Sequence, residues 1–178
     1  GPYYLKLASY LFNSRISVCV INPLVIRRFS QMRMSRTKTD KKDAALIAEY
    51  GKAENPNLWI PEADYVLEIK QMQAYVEQMN KSRTGFLRQK EAFKHNTAES
   101  ILLNESLDKM ISGLEIEITH IENKMTAIIN CHHGQLFKQM QSIPGIGRKT
   151  AVLLIVISGG FTKFDNARQL SSYIGISP

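Results

Sequence analysis

The chain has 178 residues, 44% hydrophobic and 22% charged, with a formal net charge of +7. That length fits one ordinary domain or two small ones. No apolar run approaches the ~20 residues that span a bilayer, and Cys19 and Cys131, far apart and alone, exclude a disulfide framework and fit a cytoplasmic, reducing location.

The start, GPYYLKLASYLF, has no initiator Met, no basic n-region and no small-residue cleavage site. We expect a piece of a longer chain, with residues 1 and 2 either native or a tag scar. The charge is unevenly spread. Residues 1–50 hold nine Lys/Arg against three Asp/Glu, residues 51–134 nine against twelve, and residues 135–178 five against one. Two basic ends flank an acidic middle, and basic surface is the usual footprint of nucleic-acid binding. A merely soluble face stays open on charge alone.

In chain order, YYLKLASYLFN (3–13) carries apolar residues at helical spacing and ends at Asn13. ISVCVI (16–21) is a short β-branched run that suits a buried strand. Pro23 suits the first turn of the next helix, where its missing N–H costs nothing. A basic loop over 33–39 leads to DKKDAALIAEY, a helix with Leu46, Ile47 and Tyr50 facing inward. Helix, strand, helix, helix reads as part of an α/β domain.

NPNLWIP (55–61) reads as a linker with Trp59 as its anchor. Beyond it, Ile69, Met72, Val76, Met79, Arg83, Phe86, Lys90 and Phe93 alternate steps of three and four. Leu107, Ile111, Leu114, Ile118, Ile121, Met125 and Ile128 do the same. This is a heptad seam, predicting a long antiparallel coiled-coil hairpin. One continuous helix pairing with a second copy is the alternative. Arg83 and Lys90 interrupt the seam, either snorkelling or meeting an acidic partner surface. Cys131-His132-His133 resembles a metal tract, but three adjacent helical residues cannot face one ion, so a polar helix end or turn is expected. In the last stretch Asp165 is predicted as an N-cap and Gly175 as a C-cap.

Two constellations carry chemistry. In Ile143-Pro-Gly-Ile-Gly-Arg-Lys-Thr150, Gly145 and Gly147 let the backbone turn tightly and approach another surface. Arg148 and Lys149 add charge at the start of a helix, where phosphate is readily bound. This is a helix-hairpin-helix pattern for contact with a nucleic-acid backbone; a turn that only packs is the competing reading. Asp40 and Asp43 lie one helical turn apart and can aim at one point, as hard divalent cations such as Mg²⁺ require. Spacing alone favours ordinary helix-start chemistry, with Thr39 or Asp40 as N-cap. Seven Lys/Arg between residues 27 and 42 shift the balance toward a site that holds a polyanion. Residues 1–39 contain no Asp or Glu, so this pair is not a complete site.

Val20-Ile-Asn-Pro23, the basic stretch, Lys38-Thr-Asp40-x-x-Asp43-Ala44 and Ile47-Ala48 together resemble the DEDD-type insertion-sequence transposases. These are the "one-ten" family, described as RNA-bridged DNA recombinases. Ser142-Ile-Pro-Gly-Ile-Gly147 through Phe164, then Ser172-Tyr-Ile-Gly175-x-x-Pro178, is similar to that family's second conserved domain. The resemblance implies a ribonuclease-H-like first domain with four acidic metal ligands, of which Asp40 and Asp43 match the last two. It places the Glu just before residue 1 and a serine nucleophile beyond residue 178. The fragment alone would then be inactive.

The predicted fold is mainly α, with a partial α/β, ribonuclease-H-like piece over residues 1–54, a coiled-coil hairpin over 62–130 and a helical helix-hairpin-helix-type piece over 135–178. The expected function is that of a transposase or recombinase that cuts and rejoins DNA with Mg²⁺ on Asp40 and Asp43. Arg27, Arg28, Arg36, Lys38, Lys41, Lys42, Gly145, Gly147, Arg148 and Lys149 are the expected nucleic-acid contacts. The expected partners are DNA, a guide-like RNA by resemblance only, and further copies of the chain through the coil, with no membrane. A structure-specific nuclease and a non-enzymatic coiled-coil scaffold are the rival readings.

Overall fold

The computed structural model describes residues 2–33, 39–96, 98 and 100–176. The described residues form two units, residues 1–62 and residues 63–178.

In the first unit a single 3-10 turn (Pro2–Tyr4) leads into α1 (Leu5–Asn13). α2 (Pro23–Met32) starts with Pro23 in its first turn and Asn22 as N-cap, whose side chain accepts from Leu24 N. α3 (Asp40–Glu54) ends at Asn55 in the left-handed conformation. α2 and α3 pack through an edge-to-face contact between Phe29 and Tyr50, ring centroids 5.3 Å apart. Arg33 lies over the Phe29 ring and also pairs with Glu49 at 2.8 Å.

The α/β expectation for residues 1–54, and the ribonuclease-H-like piece with it, is overturned: the described residues are helical and contain no strand. The β-branched run at 16–21 has no regular structure. A strand exists only when a neighbour pairs with it along a ladder. Here the run has one backbone hydrogen bond to the linker, donated by Trp59 N to Val18 O at 2.7 Å. Trp59 also meets Phe12 edge-on, so the linker tryptophan is held beside α1. The β-branched composition was the misleading signal, because it reports side-chain shape and not the presence of a partner strand.

The second unit is built on α4 (Asp64–Phe93) and α5 (Ile101–Gln141), which pack antiparallel. α4 alone is ~45 Å long at 1.5 Å per residue. The three-four pattern emerges as the contact face: Ile69, Val76 and Met79 are buried against Ile118 and Met125, and every other seam position is at least half-buried. The acidic surface that Arg83 and Lys90 meet is α5 itself. Arg83 Nη1 lies 3.5 Å from Glu115, and Lys90 pairs with Asp108. Arg83 Nε is buried without a partner.

α5 does not stop near residue 130. It runs to Gln141 through a kink at His133, whose backbone (φ −139°, ψ 34°) leaves the helix. Cys131-His132-His133 therefore lies at a bend within a helix, not at a free helix end. His132 stacks on Tyr65 with centroids 4.0 Å apart, and the Tyr65 hydroxyl shares a 2.8 Å hydrogen bond with His133 Nε2. α6 (Arg148–Ser158) packs on α5 on both sides of the kink and on α4. Its run AVLLIVI is apolar on nearly all sides, and Ala151, Val152, Ile155 and Val156 join Val66, Ile69, Ile129, Phe137 and Met140 in one core. α7 (Ala167–Ile174) is capped by Asn166, whose side chain accepts from Gln169 N, and not by Asp165. Asp165 instead exchanges hydrogen bonds with the Gln169 side chain. Gly175 closes α7 at φ +79°, as its C-cap role requires.

Candidate nucleic-acid interface and carboxylate pair

The helix start at α3 decides which group caps it. The Thr39 side chain accepts from Lys42 N at 3.3 Å, and Asp43 N donates to the Thr39 carbonyl. Thr39 is the cap. Asp40 and Asp43 stand in the first turn, Asp40 exposed and Asp43 half-buried. Neither carboxylate has a hydrogen-bonded or charged partner among the described residues, so the cap does not consume them.

No group of three or more His, Cys, Asp or Glu side chains converges among the described residues. The pair nevertheless offers hard carboxylate oxygens, and Mg²⁺ is commonly held by one or two carboxylates together with water and phosphate oxygens. The donor chemistry fits a partial ligand set. Lys41 and Lys42 separate the two aspartates in the chain and are exposed, as are Arg27 and Arg28 on α2. Arg36 and Lys38 lie outside the described residues.

At the other end of the chain, residues 143–147 join α5 to α6. Ile146 N donates to the Ile143 carbonyl and closes a turn with Pro144 and Gly145 in its middle. Pro144 presets its own φ, and the next position needs the positive φ that Gly145 adopts, +88°. Gly147 is the N-cap of α6 without a side-chain cap hydrogen bond. A Cβ at either glycine would meet nothing within 4 Å. Internal crowding therefore does not explain Gly147, and the backbone here is open to an approaching surface.

The two bases after the turn are already engaged. Lys149 Nζ lies 2.6 Å from Glu122 on α5, and Arg148 Nη1 donates to Asn123 Oδ1 at 3.4 Å. Glu122 is the more enclosed partner, its side chain 21% exposed against 69% for Lys149. Sequence reading missed Glu122 and Asn123, because no spacing rule links them to residues 148 and 149. They become neighbours only when α6 folds back on α5.

The chain belongs to the DEDD transposases of the IS110 type. That family's first region matches residues 1–94, and the region described as transposase, IS116/IS110/IS902 family, matches residues 138–178. Among similar proteins, the pilin gene-inverting proteins of Moraxella lacunata and Moraxella bovis are each 35% identical over the full chain. The chain spans 54% of the length of each. An IS110 protein of Streptomyces coelicolor, described as uncharacterized, is 32% identical over 73 residues, covering 41% of this chain and 18% of that protein. No described helix is long and apolar enough to cross a membrane.

Proposed function

We propose that this chain is part of a transposase that binds DNA and cuts and rejoins phosphodiesters. The observation that carries the reading is the pair of unengaged carboxylates, Asp40 and Asp43, within the residues that match the DEDD family. In the intact protein they hold Mg²⁺. A divalent ion supplies charge stabilisation for the attacking and leaving oxygens of a phosphodiester. Lys41, Lys42, Arg27 and Arg28 hold phosphates near the pair, and Arg36 and Lys38 belong to the same set. The Gly145–Gly147 turn and Arg148 and Lys149 contact nucleic-acid backbone through the second matched region. The helical hairpin joins copies of the chain. A guide-like RNA partner rests on family resemblance alone.

The names of the Moraxella relatives suggest DNA inversion as the form of recombination to assay. In the intact protein, replacing Asp40 and Asp43 together by Ala should lower strand cleavage at least about 100-fold, ~2.7 kcal/mol of transition-state stabilisation. DNA binding measured by gel shift should be retained. Unchanged cleavage by the double variant would remove the carboxylate pair from the reaction and leave a basic helical binder.

A further inference from the structure

Beside the Gly145–Gly147 turn, faces of α4, α5 and α6 converge on a groove of about 440 Å³. That volume falls within the ~300–1,000 Å³ of small-molecule sites. Its apolar lining comes from Val76, Met125, Val152 and Leu153. Its polar lining includes Asn80 and Asn123, each with half of its amide in use. Asn80 Nδ2 donates to the Val76 carbonyl, which leaves Oδ1 as an acceptor. Asn123 Oδ1 accepts from Arg148, which leaves Nδ2 as a donor. An apolar slot with a free acceptor on Asn80 and a free donor on Asn123 suits a flat heterocycle with a mixed hydrogen-bonding edge.

The charges narrow the occupant. Arg148 and Lys149 line the groove, but so do Glu77 and Glu122. The lining sums to zero, and its two bases are already engaged, Lys149 by Glu122 and Arg148 by Asn123. A free phosphate is disfavoured there, whereas a neutral base is not. Arg148, which follows Gly147 directly in the chain, lines the groove and links it to the turn. We propose that this groove receives one unpaired base of a nucleic-acid strand whose phosphates lie on the Gly145–Gly147 turn. The proposal rests on the reading of that turn as a backbone contact, and deepens it from strand contact to recognition of a single unstacked base.

The test uses the 178-residue chain and a thymine oligonucleotide carrying one 2-aminopurine, single-stranded or annealed to its complement. Binding the single strand should raise 2-aminopurine fluorescence, because the base leaves its stack. Asn80→Leu, which removes the free acceptor, should weaken single-strand affinity about three- to tenfold, the scale of one hydrogen bond. Leu153→Trp, which fills the slot, should do the same. Neither should alter duplex affinity, and circular dichroism checks that each variant keeps its helices. If fluorescence is unchanged on binding, or if both variants shift single-strand and duplex affinity alike, the groove proposal is overturned. Duplex binding with no preference for an unpaired base removes the groove proposal and leaves the turn as a backbone contact. Binding to neither form removes both.

Discussion

At single residues, the division of labour between neighbours is what matters. Thr39 caps α3, so Asp40 is released from a role that it could have filled, and Asp43 stands free beside it in the first turn. The same logic applies in reverse at Lys149, whose ammonium is occupied by Glu122. A phosphate on the turn must compete with that carboxylate. Surface ion pairs are worth ~0.2–1 kcal/mol, so Glu122→Gln should raise duplex affinity at low salt by up to about fivefold, read by fluorescence anisotropy. A fall in affinity would mean that Glu122 positions Lys149 for binding instead of withholding it. Gly160 is constrained on two counts. Its φ is +68°, and a Cβ there would sit 2.9 Å from His133 Cε1. A left-handed residue with a side chain costs ~1–2 kcal/mol before any crowding. Gly160→Ala should therefore destabilise the chain by at least about 2 kcal/mol in urea unfolding. Gly134→Ala, one residue after the kink with open space around it, should not show that loss.

Among the elements, the α4–α5 hairpin holds both matched and mismatched layers. Near its base, apolar seam residues from both helices close over α6 in a continuous core. Farther along, Arg83 occupies a seam position with Nε buried and unpaired, and its contact with Glu115 is long at 3.5 Å. A buried donor without an acceptor costs ~1–3 kcal/mol. Arg83→Leu should raise stability by about 1 kcal/mol in denaturant unfolding. A loss of stability would show that the guanidinium stem packs better than leucine does. The kink at His133 is held from outside α5. Tyr65, at the start of α4, stacks on His132 and bonds His133, while Gly160, just beyond α6, leaves the His133 ring room that a Cβ would take. Two separate segments thus set the direction of the last two turns of α5 and the placement of the Gly145–Gly147 turn that follows.

For the chain taken together, charge is the property that survives summation. Its two basic ends and acidic middle predict that duplex binding weakens steeply as salt rises, with a log–log slope of about −0.9 for each phosphate neutralised. Removing Arg148 and Lys149 together should make that slope shallower by up to about two. If the slope is unchanged, those residues serve the packing of α6 on α5, and the phosphate contacts lie in residues 1–50.

Local chemistry wrote much of this protein into its sequence. Pro23, Asn55 and Gly175 act through their own backbone preferences, and the three-four spacing on α4 and α5 marks a buried face, because a helix presents such positions to one side whatever lies there. The family was legible for a related reason: its motifs are short and contiguous, at 38–48 and 142–147. What failed or stayed hidden depended on a second segment. ISVCVI needed a paired strand to become one and has a single hydrogen bond to Trp59. Asp165 and Asn166 are both competent caps, and only the observed backbone gives the role to Asn166. The bend at His133, the Glu122–Lys149 pair and the groove beside Asn80 and Asn123 join residues from about 25 to 70 positions apart. Such contacts carry no periodicity or motif, since loop closure lets almost any separation meet at small extra entropic cost. Tertiary folding alone decides them.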